Sequence, residues 1–336
     1  MKRARILVVS SANIDFVQRM RRVPYSGETV VETDMSYSYV PGGKGANSAI
    51  TFARFGADTV FTCRVGRDAN ARRLVSIYQR EGIDTRYIQE DPEVPTGLAS
   101  ILVEENGKNR IIVYPGANMT MTEEDIEAGF TCYPDALYLQ LEIPDDAVLD
   151  ACRRAGEADI PVFIDAGPAR MDFPLDRLGH VEIFSPNENE TRIFTGISPS
   201  NEDNCLRAAV KLSTLVDAKY IVLKLGERGS FIYDGSEYWS VPAEKVRAVD
   251  TTAAGDVFSA VMTYVYLQNR NIVSAVKYAT CAAALSVTRP GASTSIPTLE
   301  EVITYARNKV AAENGEAPEA EKDNAAAVVE EENGAV

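Results

Sequence analysis

Short runs of β-branched and aliphatic residues alternate with segments of helical period along most of the chain, the pattern of βαβ units feeding a parallel sheet. Buried strands are expected at 6–10, 59–63, 137–141, 162–165, 181–185 and 220–225. Helices are expected at 47–55, 70–81, 145–155, 206–216, 255–267 and 272–287. The order predicts an α/β fold with a doubly wound, mostly parallel sheet. Two stretches break the rhythm: 29–40 and 97–114 alternate with period two, and Glu105, Asn106, Gly107 and Lys108 read as a hairpin turn within the second. Such strands fit a small separate β-sheet that serves as a lid; the plainer alternative is an antiparallel extension of the main sheet.

Composition narrows the class. The 336 residues are 45% hydrophobic and 25% charged, ordinary globular values that exclude collagen, rods and wholesale disorder. A formal net charge of −15 argues against nucleic acid or an anionic membrane surface as partner. Residues 311–336 hold eight acids and one lysine, which supply −7 of that charge. Their Ala/Glu-rich composition reads as a disordered acidic tail after a folded domain at 1–310. Five scattered cysteines form no C-x-x-C pair, and no apolar run approaches the length of a membrane span or a signal-peptide core, so a cytoplasmic location is expected. The single histidine, His180, excludes mechanisms that need two and reads as structural.

Four constellations carry chemistry. Gly42, Gly43, Lys44, Gly45, Ala46 and Asn47 lead into a helix with two side-chain donors, open equally to a ligand site or a tight turn with a solvated lysine. Asp250 to Asp256, read DTTAAGD, place small residues before a helix, where unpaired N–H groups form an anion hole. Asp256, in the first turn, is either a cap or a base for a hydroxyl. Asn187 and Glu190 follow a strand and match both a site for hydrated Mg2+ and a capping box. Lys224, Gly226, Glu227 and Gly229 end another strand in a turn that suits a nucleotide or a plain hairpin.

Together these segments resemble the ribokinase (PfkB-type carbohydrate kinase) family across residues 1 to about 310. Asn47, Ala49, Gly56 and Gly66 stand at the intervals of its first signature, and 250–262 resembles its second. SANIDF around Asn13 and Asp15, QLEIP around Glu142, PNENE at 186–190 and TRPGAS at 288–293 extend the likeness. The resemblance implies ATP-dependent phosphorylation of a sugar, D-ribose at its 5-hydroxyl, with Asp256 as base and Ala253, Ala254 and Gly255 as the anion hole. It assigns Asn13, Asp15, Gly43, Lys44, Asn47 and Glu142 to the sugar, and Asn187, Lys224, Gly226, Glu227, Gly229 and Gly255 to ATP. Glu190 would organise Mg2+ through water, and Asp250, Thr252, Ser286, Arg289, Gly291 and Ser295 would hold K+. A lid from about 17–43 and 96–116 would also build a homodimer contact. The chain departs from the family pattern at Lys224, where Thr is common, at Val257, Ser259 and Ala260, and at Thr280, where His often neighbours the adenine. A kinase for another sugar or a nucleoside, and a catalytically silent sugar- or nucleotide-binding regulator, are the competing readings.

Overall fold

A computed structural model describes residues 3–33, 35–106 and 108–313. The strands are β1 Arg5–Val9, β2 Asn13–Met20, β3 Tyr37–Gly42, β4 Asp58–Thr62, β5 Arg64–Gly66, β6 Gln89–Asp91, β7 Gly97–Glu104, β8 Asn109–Tyr114, β9 Ala136–Leu139, β10 Val162–Asp165, β11 Val181–Ser185, β12 Ala218–Lys224, β13 Ser230–Tyr233 and β14 Tyr238–Val241. The helices are α1 Lys44–Arg54, α2 Ala69–Arg80, α3 Glu123–Phe130, α4 Asp145–Glu157, α5 Glu188–Thr195, α6 Glu202–Ser213, α7 Ala254–Asn269, α8 Ile272–Val287 and α9 Leu299–Glu313.

Among the described residues the main sheet has the order β4-β1-β9-β10-β11-β12-β13-β14. The pairs from β4 through β12 are parallel, and β13 and β14 close the edge antiparallel. The parallel strands are largely buried, as in Val162–Asp165, because helices cover them; α7 packs between α1 and α8, while α3 lies on α4 and α5 on α6. The chain leaves β1 for β4 on one side and reaches β9 on the other, so a crevice opens beyond the carboxyl ends of β1 and β9.

The period-two stretches form a distinct four-stranded sheet, β3-β2-β7-β8, so they do not extend the main sheet. Two expectations need correction. Within 29–40 the strand spans only the residues from Tyr37, whose register ends at Gln18 with Tyr37, and one further backbone bond, Arg19 N to Ser36 O at 3.0 Å, extends the contact. The sheet also begins earlier than position 17: β2 opens at Asn13, so Asn13 and Asp15 belong to the smaller sheet. Gly107 of the expected turn lies outside the described residues, while Glu104 N donates to Lys108 O at 2.8 Å across it. Helix α9 runs to Glu313, past the expected tail boundary at 311, and the rest of that tail lies outside the described residues. His180 is exposed, 3.2 Å from Asp217. All five cysteines are buried and free. No helix among the described residues is long and apolar enough to cross a membrane.

Candidate active site

Two helices aim their N-termini at one point. Helix α1 starts after Gly43, whose φ of 89° needs glycine and which supplies no side-chain cap. Helix α7 starts after Ala253, held left-handed at φ 63°, again with no side-chain cap. A non-glycine residue in that region is strained, and such strain persists where the surroundings enforce it, often at functional sites. The first-turn N–H groups of Gly255 and Asp256 find no partner among the described residues, which leaves a positive end for an anion.

Asp256 lies where the helices meet. Its Oδ2 accepts from Asn47 Nδ2 at 2.8 Å, and its Oδ1 is 3.3 Å from Lys44 Nζ. Burial pushes the Asp256 carboxyl above the usual range and Asp165 adds to the rise, while Lys44 and Asn47 oppose it. Asp256 in turn holds the Lys44 ammonium well above the usual lysine range. The capping reading of Asp256 fails, since its carboxylate bonds across to α1 instead of its own helix end.

The remaining residues that the resemblance assigns to the sugar gather on the crevice side. Glu142, beyond β9, accepts from Ser11 Oγ and from Lys44 N. The Asp15 carboxylate lies across Gly42, where a Cβ would stand 1.9 Å from Oδ1. Burial first, then Glu142 and Asp256, push the Asp15 carboxyl up to about 7. Asn13 is buried, and its Oδ1 accepts from Asn118 Nδ2 at 2.7 Å, which leaves its NH2 group to present. Asn118, itself buried, is fixed by Ala12 N and Pro115 O.

On the other side of Asp256 opens a cavity of about 930 Å3 lined by Lys224, Gly226, Glu227, Gly229, Gly255 and Thr280 among others. Gly226 and Gly229 turn a β12–β13 hairpin at φ 56° and 88°, so the hairpin and nucleotide readings of this segment coincide. Asn187 is absent from that lining; it N-caps α5 in a complete capping box with Glu190. Glu190 is nonetheless buried, packed over Gly167, and its carboxyl is raised by burial, against the pull of Lys224. An oxygen-only site of this kind suits Mg2+ held through water, and no cluster of three metal-binding side chains exists among the described residues.

The proposed K+ residues also come together. Asp250 accepts from Thr252 N and Oγ1 and, through its second oxygen, from Gly291 N. The hydroxyls of Ser286 and Ser295 meet at 3.0 Å. The Arg289 guanidinium turns away to Glu301, so that residue has only main-chain atoms to offer.

Sequence reasoning missed Asn118, Ser11 and Asp165. Asp165 ends an expected strand, the position where such sheets place ligands, and that signal was available. Asn118 sits in a short 3-10 turn with no pattern to betray it.

The sequence pattern of the pfkB family carbohydrate kinases matches residues 3–299. The chain is 34% identical to a ribokinase of Staphylococcus aureus (strain COL), over 89% of this chain and 98% of that protein. It is 31% identical to a deoxyribokinase of Salmonella typhi, over 89% and 98%. The solved structure of Arabidopsis thaliana ribokinase complexed with ribose and ATP superposes with a TM-score of 0.83 at 29% identity, covering 90% of this chain and 98% of that one. Fold, family pattern and relatives agree: the chain belongs to the pfkB family of carbohydrate kinases and is a sugar kinase.

Proposed function

We propose that the protein transfers the terminal phosphoryl group of ATP to the 5-hydroxyl of D-ribose. The observation that carries this reading is Asp256, placed between a polar pocket on the Asn13, Asp15 and Glu142 side and the cavity beyond Gly255. Its carboxylate takes the hydroxyl proton as the sugar oxygen bonds to phosphorus and the bond from that phosphorus to the leaving ADP oxygen breaks. The first-turn N–H groups of α7 and Lys44 stabilise the charge on the transferring group. Asn13, Asp15, Asn47 and Glu142 supply the mixture of donors and acceptors that several sugar hydroxyls need. Retention of Asp256 and the uncapped helix disfavours a silent binding protein.

Glu190 and Asn187 would organise Mg2+, which neutralises phosphate charge when bound. Asp250, Thr252, Ser286, Arg289, Gly291 and Ser295 would hold K+ beside α7 and order its first turn. The exposed Tyr37, Ile111, Ile112, Val113 and Tyr114 of the smaller sheet suit a lid that meets a second copy of the chain. Buried, unpaired cysteines fit a reducing cytoplasm.

The deoxyribokinase relative favours a second reading, 2-deoxyribose. A sugar lacking one hydroxyl leaves a buried polar group unpaired, at a cost of about 1–3 kcal/mol. The test compares kcat/KM for D-ribose, 2-deoxyribose, fructose and nucleosides with ATP and Mg2+ in excess. D-ribose should lead; 2-deoxyribose in first place would transfer the assignment to the second reading, and fructose or a nucleoside would end both.

A further inference from the structure

The smaller sheet is entered at β7 from residues 92–96 and left after β8 through the 3-10 turn Gly116–Thr120. These two segments pack on each other without slack. Ala117 N donates to Pro95 O at 2.9 Å, and a Cβ on Gly116 would stand 2.3 Å from that same oxygen. A Cβ on Gly97 would stand 2.1 Å from Asn13 Oδ1 and 2.4 Å from Asn118 Nδ2. Any shift of the turn therefore reaches the Asn13 amide.

Arg64, on β5, holds this turn from behind. Its Nη1 donates to Thr120 O at 2.6 Å and to Asp125 Oδ2 at 3.1 Å. The Thr120 hydroxyl donates to Asp91 Oδ2 at 2.7 Å, at the end of β6, while Asp91 Oδ1 accepts from Glu93 N and Val94 N. One carboxylate thus fixes both the segment entering β7 and the turn leaving β8. The arrangement is a poor ion pair for its own sake: the guanidinium comes only within 3.8 Å of Asp91, through an Nε that is buried with no hydrogen-bond partner. A buried guanidinium placed for pairing takes a carboxylate with two parallel bonds. Arg64 gives its closest donor to the main chain of the turn instead. Two residues before that carbonyl stands Asn118, buried and bonded to Asn13 and to Ala12 N.

Resting on the sugar-site reading above, we propose that Arg64 and Asp91 are positioning residues for sugar recognition, which clamp Thr120 by its carbonyl and its hydroxyl and so hold Asn118 against the Asn13 amide. Neither touches the sugar; both act through Asn118.

The test is initial-rate kinetics of the full chain over D-ribose and ATP, with Mg2+ in excess. Arg64→Met should raise KM for the sugar about 3- to 10-fold, a hydrogen bond's worth of ordering, with kcat and KM for ATP within about twofold of wild type. A purely structural role would lower the melting temperature and the active fraction, and hence kcat, without moving KM for one substrate alone. Because Arg64→Met leaves two carboxylates without their cation, Thr120→Val, which keeps the shape of the turn and removes only the hydroxyl held by Asp91, guards against misfolding and should raise the sugar KM at least about twofold. In an Asn118→Ala chain, Arg64→Met should add less than about twofold, since the side chain it acts through is gone. A wild-type sugar KM in folded Arg64→Met or Thr120→Val overturns the proposal. So does an equal rise in KM for ATP, or full additivity with Asn118→Ala. A wild-type sugar KM in Asn118→Ala itself would instead overturn the sugar-site reading beneath it, and that arm separates the two failures.

Discussion

The Asn47 amide donates to the Asp256 carboxylate at 2.8 Å across 209 positions of sequence, and so joins the first turns of two helices from opposite ends of the chain. Asp256→Asn removes the proton acceptor while keeping its shape, and kcat should fall about 10²- to 10⁴-fold with the fold and sugar affinity retained. Asn47→Ala removes a contact that favours the ionised acid, so the acidic limb of the kcat/KM profile should move to higher pH. Near-normal turnover of folded Asp256→Asn would show that another group takes the proton.

Asp15 should make stability depend on pH. Its carboxyl is raised to about 7 by burial, Glu142 and Asp256, so between about pH 4 and 7 the folded chain binds more protons than the unfolded one. Stability from this group therefore falls as pH rises through that window. Asp15→Asn cannot ionise, and its melting temperature relative to wild type should climb by a few degrees from pH 5 to pH 8. A difference that stays flat would mean that the acid ionises as it does in water.

Asn118 should govern sugar affinity without touching the transferred group. Asn118→Ala frees the Asn13 amide to rotate, and KM for the sugar should rise about 5- to 30-fold, a hydrogen bond's worth of ordering, with kcat and KM for ATP little changed. Initial-rate kinetics over both substrates decide it, and an unchanged sugar KM would remove Asn118 from the recognition scheme.

Potassium should raise the rate over sodium or a bulky organic cation at equal ionic strength, through the loops that Asp250 ties to Gly291. Asp250→Ala should flatten that response. Equal rates with all three cations in the wild-type chain would refute the cation site.

Periodicity made the parallel core legible because β10 and β11 are short, mostly apolar runs, buried almost throughout and bounded by clear turns. It failed for β2, whose buried Asn13 and Asp15 spoil the apolar alternation, and for 29–33 and 35–36, which alternate but belong to no strand. At the site, Lys44, Asn47 and Asp256 could be picked out singly from glycine-rich helix starts. Their meeting depends on α1 packing against α7, a tertiary fact that local pattern does not encode. Asn187 and Glu190 were legible in both senses at once, because a capping box and an oxygen-rich ligand site use the same side chains at the same spacing.

The pairing of Asn13 with both Gly42 and Gly97 roots three strands of the smaller sheet beside the proposed sugar pocket. Such a sheet could act as a lever with its fulcrum at Asn13. With β2 and β7 each eight residues long, the arm is about 25 Å, so a swing of about 10° moves the tip by about 4 Å while Asn13 hardly shifts. If that sheet is the lid of the proposed function, the residues assigned to the sugar are also its pivot, and a substitution at Asn13 or Asp15 would change recognition and closure together.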